Sequence, residues 1–404
     1  MSVLDWKHRA CPVCESTDAE SLHEQRFLLP EGHPLADRYT VVCCRGCGFV
    51  YADIVIDQAK FDAFYADCSK YEDAGTATGG GFAAWDQQRL RDTAQEIAKW
   101  APKDARVLDI GCANGGLLAE LRKLGFSRLT GIDPSPACVR NTARLGLESK
   151  KGSFSDLAGL GRFDLIIVSH VLEHVHDLRS ALEAIRRILA PAGLVYAETP
   201  DASRYHQFIV APFQDFNTEH INHFSATCLA RLFHNFGFAR AGGGAKNVQS
   251  SRDSLTPAVF GIFHRATSAA PRKDDDLREC ILAYIEGSRK LLRQIDAQLD
   301  ENLLGSPAVI VWGTGQLTMK LLCESSLARQ NIAAFVDSNP INQGKSLRGV
   351  RVISPQDLSE SGLDHPIVIG SLLHGRDITD AIRAKYGLAN RLIELRPAEA
   401  SPAR

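Results

Sequence analysis

Ala105-Arg106-Val107-Leu108-Asp109-Ile110, followed at once by Gly111-Cys112-Ala113-Asn114-Gly115-Gly116, decides how this chain folds. The first six residues form a short apolar run, the pattern of a strand buried on both faces of a parallel sheet. The glycine-rich stretch turns the chain, and a helix begins near Leu117. Glycines in such a turn let the backbone come close to a bound ligand, and the helix start offers free amides to an anion. A nucleotide-like cofactor fits. Taken alone, the turn also serves NAD, a phosphate or a tight bend.

The next strand narrows the choice. Leu129-Thr130-Gly131-Ile132-Asp133 ends in an acid 24 residues after Asp109, where a doubly wound fold puts a carboxylate under ribose hydroxyls. Capping the helix at Pro134-Ser135 is the competing role for Asp133, and the two are compatible.

An acid directly before the first glycine, as Asp109 stands, followed by Gly111, Asn114 and Gly115, resembles the class I S-adenosylmethionine-dependent methyltransferases over roughly residues 86–264. Ala113 stands in place of the family's middle glycine. The resemblance implies S-adenosyl-L-methionine as cofactor, bound by Asp109, Gly111, Asn114, Gly115 and Asp133. It places Ser153 and Phe154 beside the adenine and His170, after the strand Phe163–Ser169, at the methyl-donor pocket. Glu173-His174 is read as framing the cofactor, and Asp177 and Arg179 as opening a helix.

Cys11-Pro-Val-Cys14 and Cys44-Arg-Gly-Cys47 form two Cys-x-x-Cys knuckles among eleven cysteines. Each pair reaches one ion at about 2.3 Å, and two pairs complete a closed tetrahedral site. A structural Zn2+ is expected, against the alternative of buried or redox-active thiols.

On the substrate side, Phe216-Asn217-Thr218-Glu219-His220-Ile221-Asn222-His223-Phe224-Ser225 gathers two histidines, an acid and two asparagines before a helix. His220 titrates near neutral pH and suits general-base duty, with Glu219 to orient it; a core or capping role is its alternative. His223 is read as a core group and Ser225 as a helix cap.

The cysteine head, this core, the Glu-His element and a second α/β unit together resemble the C-methyltransferases of nucleotide-linked keto-deoxysugars. That resemblance implies that Glu219-His220 removes a proton beside a ketone. Asn217 stands where the family has a tyrosine that steadies the enolate, and an asparagine can still donate to an oxyanion. A further family tyrosine, after the head, corresponds to Tyr65 or Tyr71, and Tyr71 is carried as the candidate. O- or N-methylation of a polysaccharide or natural-product precursor is the alternative.

The expected architecture is α/β: a zinc-binding N-terminal head (1–71), a doubly wound Rossmann-like methyltransferase core (72–265), a linker with an amphipathic helix (266–303) and a second Rossmann-like C-terminal domain (304–404). Ile281, Tyr284, Leu291, Leu292, Ile295 and Leu299 give the helix one apolar face, for connection or for a homodimer. In the last domain Val309-Ile310-Val311-Trp312-Gly313-Thr314-Gly315 and a strand ending at Asp337 repeat the strand-glycine-acid logic, either as a nucleotide site or as an empty scaffold. Partners are a nucleotide-linked sugar or related small molecule. A net charge of -2 argues against nucleic acid, and the absence of a signal-like start or a membrane-length apolar run places the chain in the cytoplasm.

Overall fold

The computed structural model describes residues 9–54, 56–67, 80, 83–251 and 254–396. The chain divides into two compact units: Met1–His23, Thr40–Phe208 and Glu219–Ile281 form the first, and Glu24–Tyr39, Ile209–Thr218 and Leu282–Arg404 the second. Two short segments, 24–39 and 209–218, thus cluster with the C-terminal part.

The first unit is built on a seven-stranded sheet. Its strands are β1 (Arg106–Ile110), β2 (Arg128–Asp133), β3 (Glu148–Lys151), β4 (Phe163–Ser169), β5 (Leu189–Pro200), β6 (Phe238–Gln249) and β7 (Leu255–Arg265). Their order is β6-β7-β5-β4-β1-β2-β3. β1 to β5 pair in parallel, and β7 and β6 close one edge antiparallel. The apolar run of β1 is fully used: Val107, Leu108, Asp109 and Ile110 are all buried, as a strand covered on both faces requires.

Helices α1 (Ala84–Ile97) and α2 (Gly116–Lys123) cover one face. Leu90, Ala94 and Ile97 of α1, with Leu117, Leu118 and Leu121 of α2, pack against Val107, Leu129, Leu165 and Ile167 of the sheet. Three further helices begin on side-chain caps, two of them expected from the sequence and the third at Ser135 where Asp133 was expected. Ser135 accepts from the Cys138 amide at α3 (Pro136–Arg144), Asp177 from Ser180 at α4 (Leu178–Ile188), and Ser225 from Cys228 at α5 (Ala226–Asn235). Each side chain satisfies an amide that the first turn leaves open.

The cysteine knuckles belong to the same unit. Strands Arg38–Cys44 and Val50–Asp53 form an antiparallel ladder, and Asn222–His223 adds to the latter with Asn222 opposite Tyr51. Gly48 has φ +81°, and a Cβ there would stand 2.0 Å from the Asp274 carbonyl oxygen, so glycine is required at this turn.

Helix α6 (Leu277–Leu303) follows the expected amphipathic pattern. In the second unit its Leu291, Ile295, Leu299 and Leu303 pack into a core with Val309, Val311, Phe335 and Val368, so that stretch of its apolar face is used within the chain. The sheet of this unit runs β10 (Ser346–Leu347), β11 (Val350–Ile353), β9 (Ile332–Val336), β8 (Val309–Trp312), β12 (Ile367–Ile369), β13 (Leu392–Glu394). Only the β10–β11 pairing is antiparallel among the described strands. No helix among the described residues is long and apolar enough to cross a membrane.

Candidate active site

The turn after β1 is shaped by close approaches. Gly111 and Gly115 have φ of +72° and +77°; a Cβ on Gly111 would meet Val171 Cγ2 at 2.6 Å, and one on Gly115 would meet Thr142 Oγ1 at 2.8 Å. Ala113 also turns left-handed, at φ +45°. That is the region a glycine occupies without strain, and alanine enters it at a cost of roughly 1 kcal/mol.

Asp133 holds this turn in place. Its Oδ2 accepts from the Ala113 amide and its Oδ1 from the Ser135 amide, both at 2.9 Å. Asp133 thus braces the turn and the approach to the next helix, whose cap is Ser135. Gly152 N donates to the Asp133 carbonyl oxygen at 3.0 Å, which brings the half-buried Ser153 and Phe154 beside the acid. Asn114 is buried and accepts from Asn141 Nδ2 at 2.9 Å. Burial lifts the Asp109 carboxyl up to about 8, with the charge of Asp133 adding to the effect. Burial also lifts Asp133 to about 6, against the amides of Ser135 and Ala113. Glycines where a Cβ would clash, two acids beneath the turn and an open helix start suit an adenosine-type cofactor with a charged amino-acid tail.

His170, in a left-handed conformation at φ +55°, follows β4. Its Nε2 lies 3.1 Å from Glu198 Oε1 and its Nδ1 3.4 Å from Glu173 Oε1, so both ring nitrogens face carboxylates. Burial opposes a charge on the ring, but Glu173 and Glu198 outweigh it and push the imidazole up to about 9. Glu198 is fully buried on β5 and pairs with Lys246 Nζ of β6 at 2.7 Å; Tyr196 also donates to it. Burial opposes the charge of Glu198, and Lys246 and His170 nevertheless hold its carboxyl well below the usual range. An acid inside the apolar run Val195-Tyr196-Ala197-Glu198 was the available signal for this network.

The catalytic candidates fall in three places. Glu219 and His220 belong to the first unit, Asn217 to the second, where its amide donates to the Gln214 carbonyl at 3.3 Å. Tyr71 lies outside the described residues. The aromatic ring against His220 is His174, at 4.8 Å between centroids and edge-on. His174 Nδ1 is 3.1 Å from the Glu219 carbonyl oxygen and 2.9 Å from Tyr65 Oη, and Tyr65 donates to Glu219 Oε2 at 3.1 Å. A carbonyl only accepts, so Nδ1 carries the ring proton of neutral His174. Sequence reading set His174 aside as a frame for the cofactor and carried Tyr71 rather than Tyr65; their approach to Glu219 spans 45 and 154 residues and leaves no local trace.

The segment is anchored from below. Ile221 N donates to the Glu173 carbonyl at 2.8 Å, and Asn222 Nδ2 donates to the carbonyls of Leu172 and Val175 at 2.9 and 2.7 Å. His223 is buried against Tyr205, and burial pushes it down to about 3, so it stays a neutral core group. Ser225 caps its helix, as the sequence suggested.

Four sulfurs gather at the head: Cys11–Cys47 and Cys14–Cys44 are 3.6 and 3.4 Å apart, and all four lie within 4.8 Å of one another. Tetrahedral sulfur ligands stand about 3.8 Å apart, so the donor set fits a closed four-thiolate site. In the second unit Asp337 is differently employed. Its Oδ2 accepts from Thr314 N, Thr314 Oγ1 and Asn342 Nδ2, and its Oδ1 from Asn339 N. Its capacity is spent on its own loops, which favours the scaffold reading over a ribose contact.

Residues 82–240 match a family described as a methyltransferase domain, and residues 306–393 one described as C2185-like, N-terminal. A ubiquinone biosynthesis O-methyltransferase of Xanthomonas oryzae pv. oryzae is 37% identical over 103 residues, 24% of this chain and 43% of that protein. The one from Methylobacterium sp. is 33% identical over 100 residues, covering 23% and 40%. The chain thus spans under half the length of these curated relatives. A solved S-adenosylmethionine-dependent methyltransferase from Methanosarcina mazei matches 43% of this chain and 98% of its own at 18% identity and a TM-score of 0.36. Residues 82–240 are a methyltransferase domain.

Proposed function

We propose that the chain transfers a methyl group from S-adenosylmethionine to a small sugar-type acceptor, most simply to carbon beside the ketone of a nucleotide-linked sugar, with His220 as general base. The observation that carries this reading is the chain Tyr65–Glu219–His174 and the edge-on contact of His174 with His220. A base beside a second titratable ring and a phenol is suited to taking a proton from carbon and steadying the enolate that results. Bound S-adenosylmethionine supplies an electrophilic methyl on a sulfonium.

In this reading Asp133 bonds the ribose, the turn Gly111–Gly115 with Asn114 approaches the amino-acid end, and Ser153 and Phe154 flank the adenine. Asp109 keeps the floor of the pocket neutral, and His170, tied to Glu198, shapes the wall nearest the methyl. The four cysteines hold a structural zinc. A thiolate centre of this kind persists in a reducing compartment, which supports the cytoplasm as the place of action.

O- or N-methylation is the second reading, favoured by the relatives named O-methyltransferases and by Asn217, whose amide is engaged by Gln214. There alignment of acceptor and methyl, plus one base, is sufficient. Incubation with methyl-labelled S-adenosylmethionine and a panel of nucleotide-linked keto and hydroxy sugars tests both. A carbon-bound label with solvent deuterium exchange beside the ketone supports the first reading; label on oxygen or nitrogen moves it to the second, and no labelled sugar removes the sugar class.

A further inference from the structure

Glu173 is 1% exposed, and neither of its carboxylate oxygens has a hydrogen-bond partner among the described residues. Its Oε1 lies 3.8 Å from His174 Nε2 and 3.4 Å from His170 Nδ1. The donor atoms of Glu173, His174 and His220 all fall within 4.8 Å of one another. Three residues from two separate segments, 172–174 and 219–221, therefore converge on one point, and the segments are stapled there by the Ile221 amide on the Glu173 carbonyl. Burying this carboxylate is costly; the His170 imidazole 3.4 Å away offsets part of that cost, and a cation held closer, between Glu173, His174 and His220, offsets more.

With its proton on Nδ1, facing the Glu219 carbonyl, neutral His174 turns the lone pair of Nε2 toward Glu173. Two acceptors then face each other at 3.8 Å, an arrangement that a proton or a metal cation between them relieves. An imidazole with one N–H on a backbone carbonyl and the other nitrogen on an ion is the usual arrangement around a metal-bound histidine.

We propose that Glu173, His174 and His220 bind a divalent transition-metal ion of the zinc type. Two imidazoles and a carboxylate suit zinc, cobalt, nickel or ferrous iron, whereas magnesium and calcium call for oxygen ligands throughout. Three protein ligands leave a fourth position open, as a centre that meets water or an acceptor hydroxyl requires. With bonds of about 2.1 Å, tetrahedral donors stand about 3.4 Å apart, so the three side chains must close by about 1 Å. His174 and His220 are half-buried and have room to do so. The site is distinct from the four-cysteine cluster. An ion there takes up one ring nitrogen of His220 and offers an open coordination position beside it. The binding claim rests on no part of the methyl-transfer reading.

The test is a Co2+ titration of the full chain with its cysteine site first filled with zinc, followed by ligand-field absorbance and by metal analysis after desalting, with no cofactor or acceptor present. Wild type takes up one equivalent of cobalt. Glu173→Gln weakens uptake at least tenfold, His174→Asn abolishes it, and Glu173→Asp restores it in part. Circular dichroism and melting curves establish that the variants remain folded. Absence of that equivalent in wild type overturns the proposal, as does equal affinity in folded Glu173→Gln and His174→Asn. An empty result from the sugar panel leaves a positive cobalt titration standing, so the two readings fail separately.

Discussion

His174 is fixed through Nδ1 to the backbone carbonyl of Glu219 at 3.1 Å, across 45 residues of sequence. This contact joins the turn after β4 to the segment before α5 and sets which nitrogen of His174 carries the proton. It also turns the ring edge-on to His220. The two rings thus come together from separate segments of the chain.

If His220 is the base, His220→Ala lowers turnover by about 10²- to 10⁴-fold while S-adenosylmethionine affinity stays within a factor of two or so. Tyr65→Phe removes the phenol's contacts with Glu219 and His174 and is expected to lose less, on the order of tenfold. Single-turnover rates and calorimetric cofactor binding separate these effects. Unchanged turnover in the His220 variant would remove the assignment.

Asp133→Ala deletes an acceptor used by two loop amides and, in our reading, by the cofactor. A hydrogen bond to a charged group contributes about 1.5–3 kcal/mol, so affinity should fall on the order of 10- to 100-fold. The melting temperature should fall as well, because the amides of Ala113 and Ser135 lose their partner. Thermal shift with and without cofactor reads both; an intact affinity contradicts the ribose role.

Asp109 sets a pH dependence. Its carboxyl is pushed from 3.8 up to about 8 in the folded chain, so the folded state keeps a proton that the unfolded state has released. Folding takes up that proton between about pH 4 and 8, and stability declines across this window as pH rises, by at most about 1.4 kcal/mol per pH unit per proton, then levels off above it. Asp133 contributes in the same sense up to about 6. Asp109→Asn should therefore flatten the slope most between pH 6 and 8, measured by denaturant melts at each pH; a slope unaltered by the substitution would show that Asp109 is not its source.

For the cysteine head, metal analysis should find one zinc per chain, with Cys44→Ser losing it and melting earlier, since a structural zinc contributes folding free energy directly. A chelator at moderate temperature should reproduce the loss in wild type. Metal-free protein that is as stable as the loaded form would defeat the assignment.

What the sequence made legible was local. The apolar run 105–110, the glycine turn after it, the acid at 133 and the caps at Asp177 and Ser225 each depend on neighbours a few residues away, and each was readable, whereas the cap expected at Asp133 falls to Ser135. The partners of Glu219 were not. Tyr65 comes from 154 residues upstream, and nothing in Phe61-Asp62-Ala63-Phe64-Tyr65 marks its phenol for that carboxylate. Glu198 and Lys246 were missed for the same reason, being members of different strands that meet across the sheet. The expected boundaries followed the chain in order, whereas segments 24–39 and 209–218 group with the C-terminal unit, which no composition shift announces.

The Lys246–Glu198 pair has a consequence for where the domain ends. The match to the methyltransferase domain stops at residue 240, and Lys246 lies beyond it. A chain trimmed to the matched region would strand the fully buried Glu198 without its ammonium partner, and the wall beside His170 would carry an uncompensated charge. Strand β6 is therefore the counter-charge of the pocket as well as the margin of the sheet, and electroneutrality carries the domain several residues past the point where the family match ends.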